Sequence, residues 1–527
     1  MIVPDPAKIV VPRRQGEILI TPPLDALSTA AGARDLSPLE PRLSEAFGKP
    51  FSALQKSQRE HFADAIRRHA GAIGDTVPEF KAGAPWIITG HQVEFYHAGV
   101  WAKVIAADVL ARKTGGIAID LLVDHDLVEE MGFDVPVKSA EGTWKRQPIL
   151  FDKPSPLPVE SLHAPDAAAA EHWKSQLREQ PGAQSDALTE FLKELNPASP
   201  GEPYTLWMSR ARRHFESAFG LQVAHIPTTQ ACAGPAWAAF VQAWIHHAAE
   251  WTAVYNRHLA DYRTRQAIKN PEHPMPDLSR NTALGTFELP FWIYRNGEPR
   301  ARLVVRPGET PVILFATETI PATPEIFSAG SSLLIRPRAL TLTMFVRIFL
   351  AEVFIHGIGG ALYDQITDGM VRELFGEAAA ASYGCVSAAW LLPIADHAEN
   401  PASAPWLKWQ LHHLTHNPQL ALGSTHQQYP PAAQALARRR ELLELIADSL
   451  EIDRRLGREA RHQWFDELHA VNRQLHEIVP ERLTELLRRL AASEKALHDN
   501  KVLLWREWFF ALHSLSSLRA LVDKISA

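Results

Sequence analysis

Cysteine is scarce in this chain. Its 527 residues include only Cys232 and Cys385, far apart and without a CxxC spacing. That pattern excludes a disulfide framework and a cysteine-built structural zinc site, and it fits a reducing compartment. Excess positive charge is also missing. A formal net charge of −6 and a sequence pI near 6.5 give no general drive toward nucleic acid or an anionic membrane. Long apolar runs are absent as well: the longest, 344–363, is interrupted by Arg347, Glu352 and His356, which is too polar for a membrane span. The amino terminus, MIVPDPAKIVVPRRQGEILITPP, lacks the continuous apolar core of a secretion signal. The expectation is a cytoplasmic protein with small-molecule partners and no nucleic-acid or membrane partner. No GxxxxGK[ST], GxSxG or HExxH motif occurs, and no metal-ligand set is assigned.

What is present is an ordinary globular composition, 46% hydrophobic and 22% charged, with length enough for two or more domains. The most informative stretch runs from Trp86 to Asp134. An apolar strand beginning at Trp86 ends in Thr89-Gly90-His91-Gln92, and a helix is expected from about Gly99 to Lys113. A second strand, Ile117 to Val123, is apolar except for Asp120 and delivers Asp124, His125 and Asp126 at its carboxyl end. Ligands of open α/β sheets bind at that edge. The fold class expected is α/β: a parallel sheet core with inserted segments and a C-terminal helical coiled-coil region.

Composition divides the chain further. Residues 1–137 read as the first part of the core, and 138–204, rich in Pro and Ala, as an insertion. Residues 205–395 read as the second part, with a small antiparallel insertion near 285–316 signalled by Asn296-Gly297. One helix is expected from Ala236 to Arg265. A strand near Leu333 to Arg336 is followed by a long helical pattern to Phe354. Residues 396–431 read as a loop-rich linker. From 432 to 527, apolar residues from Leu442 to Leu497 recur at mostly three- and four-residue intervals, the mark of a helix hairpin broken near Pro480 and of a coiled-coil arm, with an aromatic end at Trp505, Trp508, Phe509 and Phe510 that should dock.

Several groups could carry chemistry. Gly90 permits close backbone approach, and His91 and Gln92 add side-chain donors at the start of a helix. Asp124, His125, Asp126 and Glu129 place three carboxylates around an imidazole, suited to orienting a base, holding an ammonium group or ligating a divalent metal. The competing account is a helix amino-terminal cap with an acidic first turn, which explains Asp126 and Glu129 better than Asp124 and His125. Arg336, with Arg338 and Arg347 near it, could neutralise a carboxylate or phosphate. His356, Gly357, Gly359 and Gly360 before Tyr363 form a second candidate, a strained turn. His412, His413, His416 and His426, in an expected loop without fixed spacing, read as solvated.

Together these pieces resemble the cysteine-adding enzymes of bacillithiol biosynthesis, the BshC family of cysteine ligases. The family's strand-Thr-Gly-Gln-Gln turn is similar to Thr89-Gly90-His91-Gln92, and its Asp-His-Asp followed three positions on by Glu matches Asp124, His125, Asp126 and Glu129. Its Arg-Pro segment and glycine turn ending in Tyr are similar to Arg336-Pro337 and Gly357 to Tyr363. His91 stands where the family has Gln, Ala98-Gly99 where it has Gly-Pro, and Gly360 where it has an acidic residue. The resemblance implies a Rossmann-like core with inserted segments and a coiled-coil arm, and a ligase joining cysteine to an amino-sugar conjugate, glucosaminyl-malate, in a homodimer. Asp124, His125, Asp126 and Glu129 would be catalytic, and Gly90, His91, Gln92, Arg336, Gly357, Gly359 and Tyr363 would bind substrate. Amide formation from a free carboxylate requires activation, so a nucleotide is expected; the cofactor is left unassigned, with ATP and Mg2+ as candidates. A divergent ligase with another acceptor, a non-catalytic dimeric ligand-binding or scaffold protein, and an adenylate-forming nucleotidyltransferase are the alternatives.

Overall fold

The computed structural model describes all residues except 33, 198, 328–330, 394–403, 423–428, 453–457 and 479; His426 lies outside the described residues. In chain order, β1 (Glu17–Thr21), β2 (Trp86–Gln92) and β3 (Ile117–Val123) precede a hairpin of β4 (Gly132–Lys138) and β5 (Trp144–Leu150). After a helical stretch come β6 (Val223–Pro227), then β7 (Arg280–Asn281), β8 (Thr286–Arg295), β9 (Ala301–Arg306), β10 (Val312–Phe315), β11 (Glu318–Pro321) and β12 (Leu333–Pro337). Finally, β13 (Val353–His356) and β14 (Ser382–Ala389) complete the set. The class is mixed α/β with a largely parallel sheet.

That sheet has the order β1-β14-β13-β2-β3-β6. Every neighbouring pair is parallel except β1 with β14. Its central strands are buried on both faces, which is why IIT in β2 and IAIDLL in β3 read as continuous rather than alternating apolar runs. Ala98–Thr114 crosses from β2 to β3, with buried residues nearly all round it. A second sheet, β11-β10-β9-β8-β12 with β7 beside β8, is antiparallel throughout. The aromatic rings of Phe47, Phe51, Phe240, Phe349 and Phe375 meet in the core, with neighbouring centroids 5.0–6.4 Å apart.

Several elements differ from the sequence reading. The helix expected over Ala236 to Arg265 is two helices, Pro235–His246 and Ala248–Arg265, broken at His247. The helical pattern extended to Phe354 stops at Phe349, and Val353–His356 is instead an inner strand between β14 and β2. No helix follows Asp126; the chain turns into the β4–β5 hairpin, so a helix cap does not explain this acidic cluster.

The chain divides into two compact units. One holds residues 1–137, 146–392 and 506–527, and so contains both large sheets. In it Phe510 stacks on Trp101 with centroids 5.2 Å apart and planes 9° apart. The other holds residues 138–145 and 393–505. There Arg458–Ile478 packs on Pro430–Ile452 through Leu442, Ile446, Leu468, Val471 and Leu475. Pro480–Leu503 packs through Leu486 and Leu490 on Leu407 and Leu414 of Ala404–His416. This last helix corrects the loop-rich reading of 396–431 and places His412, His413 and His416 on helical turns. Among the described residues no helix is long and apolar enough to cross a membrane.

Candidate functional site

A cavity of about 640 Å3 opens at the carboxyl ends of the parallel strands in the first unit. Gly90, His91 and Gln92 line it from β2, His125 and Asp126 from the turn after β3, His356 from β13 and Ser387 from β14. Two long helices begin at its wall, Ala98–Thr114 and Ile358–Leu374. The antiparallel sheet contributes Trp292 and Arg302, and Arg300 and Arg338 flank those strands.

The two expected turns have ordinary backbones. None of Gly90, Gly357, Gly359 and Gly360 has a positive φ, so the strained turn anticipated around His356 is not there. Glycine is needed for proximity instead. A Cβ on Gly90 would lie 2.9 Å from the Leu121 Cβ across the ladder, and one on Gly360 would lie 2.7 Å from His356 Nδ1. These two glycines let β2 sit tightly on β3 and let the His356 ring lie flush against the opening of the second helix.

Of the Asp-His-Asp cluster, the structure brings only two members to the cavity. Strand-end alternation turns Asp124 the other way. It is buried, and it accepts hydrogen bonds from Thr229 N at 3.0 Å and Thr229 Oγ1 at 2.6 Å. Burial raises its pKa to about 7, with Glu160 adding to the rise and the Thr229 contacts opposing it. His125 is buried too; desolvation holds its pKa down near 4, and its Nδ1 has no partner among the described residues. Asp126 is shared by Arg300 Nη1 at 2.7 Å, Leu127 N at 2.9 Å and Gln92 Nε2 at 3.3 Å. Glu129 does not line the cavity.

Arg336 is likewise absent from the cavity wall. Its guanidinium grips Glu160, Nε to Oε1 at 3.0 Å and Nη2 to Oε2 at 2.9 Å, and the Tyr294 hydroxyl donates to the same carboxylate. Gly357, Gly359 and Tyr363 do line it. Tyr363 is edge-on to Tyr262 and His273.

Among the groups that dominate the cavity's electrostatics, sequence reading named His91, Arg338, Arg347 and His356 but missed Lys103 and Arg300. Lys103 donates from Nζ to the Gly90 carbonyl at 2.7 Å, and burial brings its pKa down to about 8. His91 is pushed well below the usual imidazole range by burial, then by Lys103 and His97. Arg300 and Arg338 both stack on Trp292, 4.7 and 4.3 Å from its centroid. His356 Nε2 lies 2.8 Å from Asp364 Oδ2, and Asp364 also receives Arg347 at 2.6 Å and Thr343 Oγ1 at 2.7 Å. Arg347 reaches Asp368 at 2.8 Å as well. The result is an imidazole oriented by a carboxylate whose ionisation a buried arginine secures. Lys103, Arg300, Arg302, Arg338 and Arg506 line the cavity, where Asp126 and, behind the wall, Glu288 offset only part of their charge, so it favours an anion.

Comparison with known proteins adds no name: no family model matches the chain, and no curated protein matches it.

Proposed function

We propose that this chain is a carbon–nitrogen ligase of the cysteine-adding kind, joining the carboxyl group of cysteine to a small anionic amine such as glucosaminyl-malate. It would do so in the cytoplasm, on a Rossmann-like core whose second, helical unit is a coiled-coil arm used for homodimerisation. One observation carries the reading: the cavity at the carboxyl edge of the parallel sheet combines a surplus of cations with imidazoles that can take a proton. Amide formation from an amine releases one proton, and a neutral imidazole within the site is a suitable acceptor. His356, oriented by Asp364, is the candidate acceptor, and His125, kept neutral by burial, would hold the amine beside it. Gly90, His91 and Gln92 form the wall against which the activated carboxylate would lie.

A bound nucleotide would supply the phosphoryl leaving group that a free carboxylate lacks. The cation-lined wall fits its phosphates. Among the described residues no cluster of three or more metal-ligating side chains occurs, so Mg2+ fits best as a companion of the phosphates rather than in a cage of protein carboxylates. Asp124 and Arg336, expected to act on substrate, support the site from behind in this reading, and the exposed Glu129 takes no part in it.

The test is incubation of the purified chain with cysteine, glucosaminyl-malate, ATP and Mg2+, with thiol products followed by mass spectrometry. A condensation product that is lost in the His125→Ala protein supports the reading. If no amine in a panel of amino-sugar conjugates is consumed, the ligase reading fails and the weight moves to a ligand-binding role for the same cavity.

A further inference from the structure

We propose that the Lys103 end of the cavity is a phosphoryl-binding subsite, formed by the Lys103 ammonium and the backbone amides that open the Ile358–Leu374 helix. This deepens the ligase reading by naming a group the cavity takes, and rests on it only for the identity of the whole substrate.

Lys103 is 4% exposed, yet its single protein hydrogen bond among the described residues is to a neutral carbonyl, Gly90 O, and no carboxylate there forms an ion pair with it. The acid that most influences it, Asp120, is itself held by Arg212. A buried ammonium without a counter-ion is costly, and two of its three N–H donors remain for a ligand. Beside it is a helix end that the protein leaves open. Gly357 occupies the cap position with no side-chain cap, and the first amide bonded within the helix is Ala361 N, to Gly357 O at 3.0 Å. The amides before it are the donors a helix start normally presents outward. A Cβ on Gly357 would lie 3.6 Å from the Lys103 Cδ, so the lysine stem and the helix opening are neighbours.

Contrast within the same cavity locates the unmet charge. The other helix start is closed by its own side chain, His97 Nδ1 accepting from Gly99 N at 3.0 Å. Across the cavity, Arg300 is paired with Asp126, Arg302 and Arg338 are paired with Glu288, and Arg506, half-buried rather than buried, donates to Pro12 O at 3.3 Å and Ser387 Oγ at 3.4 Å. A carboxylate suits the planar fork of an arginine, whereas a point-charge ammonium converging with several amides suits a tetrahedral oxyanion.

The test uses the full chain titrated with inorganic pyrophosphate by calorimetry, with malate as the carboxylate arm. Pyrophosphate should bind more tightly than malate. Lys103→Met should weaken it about ten- to a hundred-fold, the change for one lost charge-assisted contact. A second variant needs no change at Lys103: Gly359→Asp has room for its side chain, whose nearest neighbour would be Tyr363 at 3.8 Å, and brings a negative charge to the helix opening. It should abolish pyrophosphate binding in a folded protein. Unchanged affinity in either folded variant, or tighter binding of malate through Lys103, overturns the subsite. Failure of the ligase reading would show differently, as intact pyrophosphate binding with no condensation product.

Discussion

Strand β3 separates two groups of charges that look alike in sequence and behave in opposite ways. On one side, Glu160 is matched by the Arg336 fork and the Tyr294 hydroxyl, and Asp124 is hydrogen-bonded by Thr229, although burial still penalises its charge. On the other, Lys103 is buried with a carbonyl as its only hydrogen-bond partner among the described residues, and His356 is held ready by Asp364. Matched charge is scaffold and unmatched charge invites a ligand, because a desolvated ion without a partner costs stability that only binding can return. Density of titratable residues in sequence does not separate the two cases; the direction of each side chain does.

Substitution should expose the contrast most strongly at Arg336. Arg336→Leu leaves Glu160 buried without its counter-ion and should lower stability by about 3–5 kcal/mol, read from urea unfolding, with pyrophosphate affinity unchanged where the protein is folded. Loss of affinity equal to that of Lys103→Met would erase the distinction between the two sides.

Lys103→Met should do the reverse. The folded-state pKa of Lys103 lies at about 8, below its ordinary 10.5, because burial penalises the ammonium. Between those values the unfolded chain holds a proton that the folded chain sheds, so wild-type stability rises with pH across that window, and the cost is complete below it. At pH 7 the methionine variant should therefore be more stable, by on the order of 3 kcal/mol. That advantage should fade as pH climbs from 8 to 10.5. A destabilised variant at pH 7 would mean that Lys103 is matched after all.

Asp124 sits lower on the same scale. Asp124→Ala removes the acceptor of two Thr229 hydrogen bonds and should cost about 1–3 kcal/mol, whereas Asp124→Asn keeps an acceptor and should cost less. Neither should change pyrophosphate affinity. An effect of Asp124→Asn on binding as large as that of Lys103→Met would return Asp124 to the site.

The parts of this arrangement that sequence reveals are those with a long, unambiguous period. The run from β2 through Ala98–Thr114 to β3 was legible because each element carries a continuous, mostly apolar stretch bounded by Gly or a polar cluster. β13 was not: VFIH continues the apolar spacing of the helix before it, and four residues are too few to show a change of period. β14, SYGCVSAA, is buried along its length but built of small residues that carry little hydrophobic signal. In the site, the Asp-His-Asp cluster marked the right strand end without showing which way each side chain faces. Lys103 is not among the residues the sequence singles out by motif, although the stretch around it, AGVWAKVIAADVLA, carries a signal: a lysine near the middle of a mostly apolar helix has no polar face to sit on.

The finest test of matched against unmatched charge compares the two helix openings. His97→Ala removes the imidazole that caps Gly99 N and should cost about 1 kcal/mol. Burial, with Arg506 and Lys103 nearby, holds the pKa of His97 near 3, so it remains a neutral acceptor across physiological pH and its cap does not switch. Uncapping this helix gives it the same free amides as Ile358–Leu374 but adds no unmatched lysine beyond the one already committed to the other opening. If a buried ammonium, rather than free amides alone, makes an anion site, His97→Ala should leave pyrophosphate stoichiometry at one per chain and its affinity within about two-fold, well short of a lost charge-assisted contact. A second equivalent bound by the variant would show that amides suffice, and would move the decisive role from Lys103 to the helix openings.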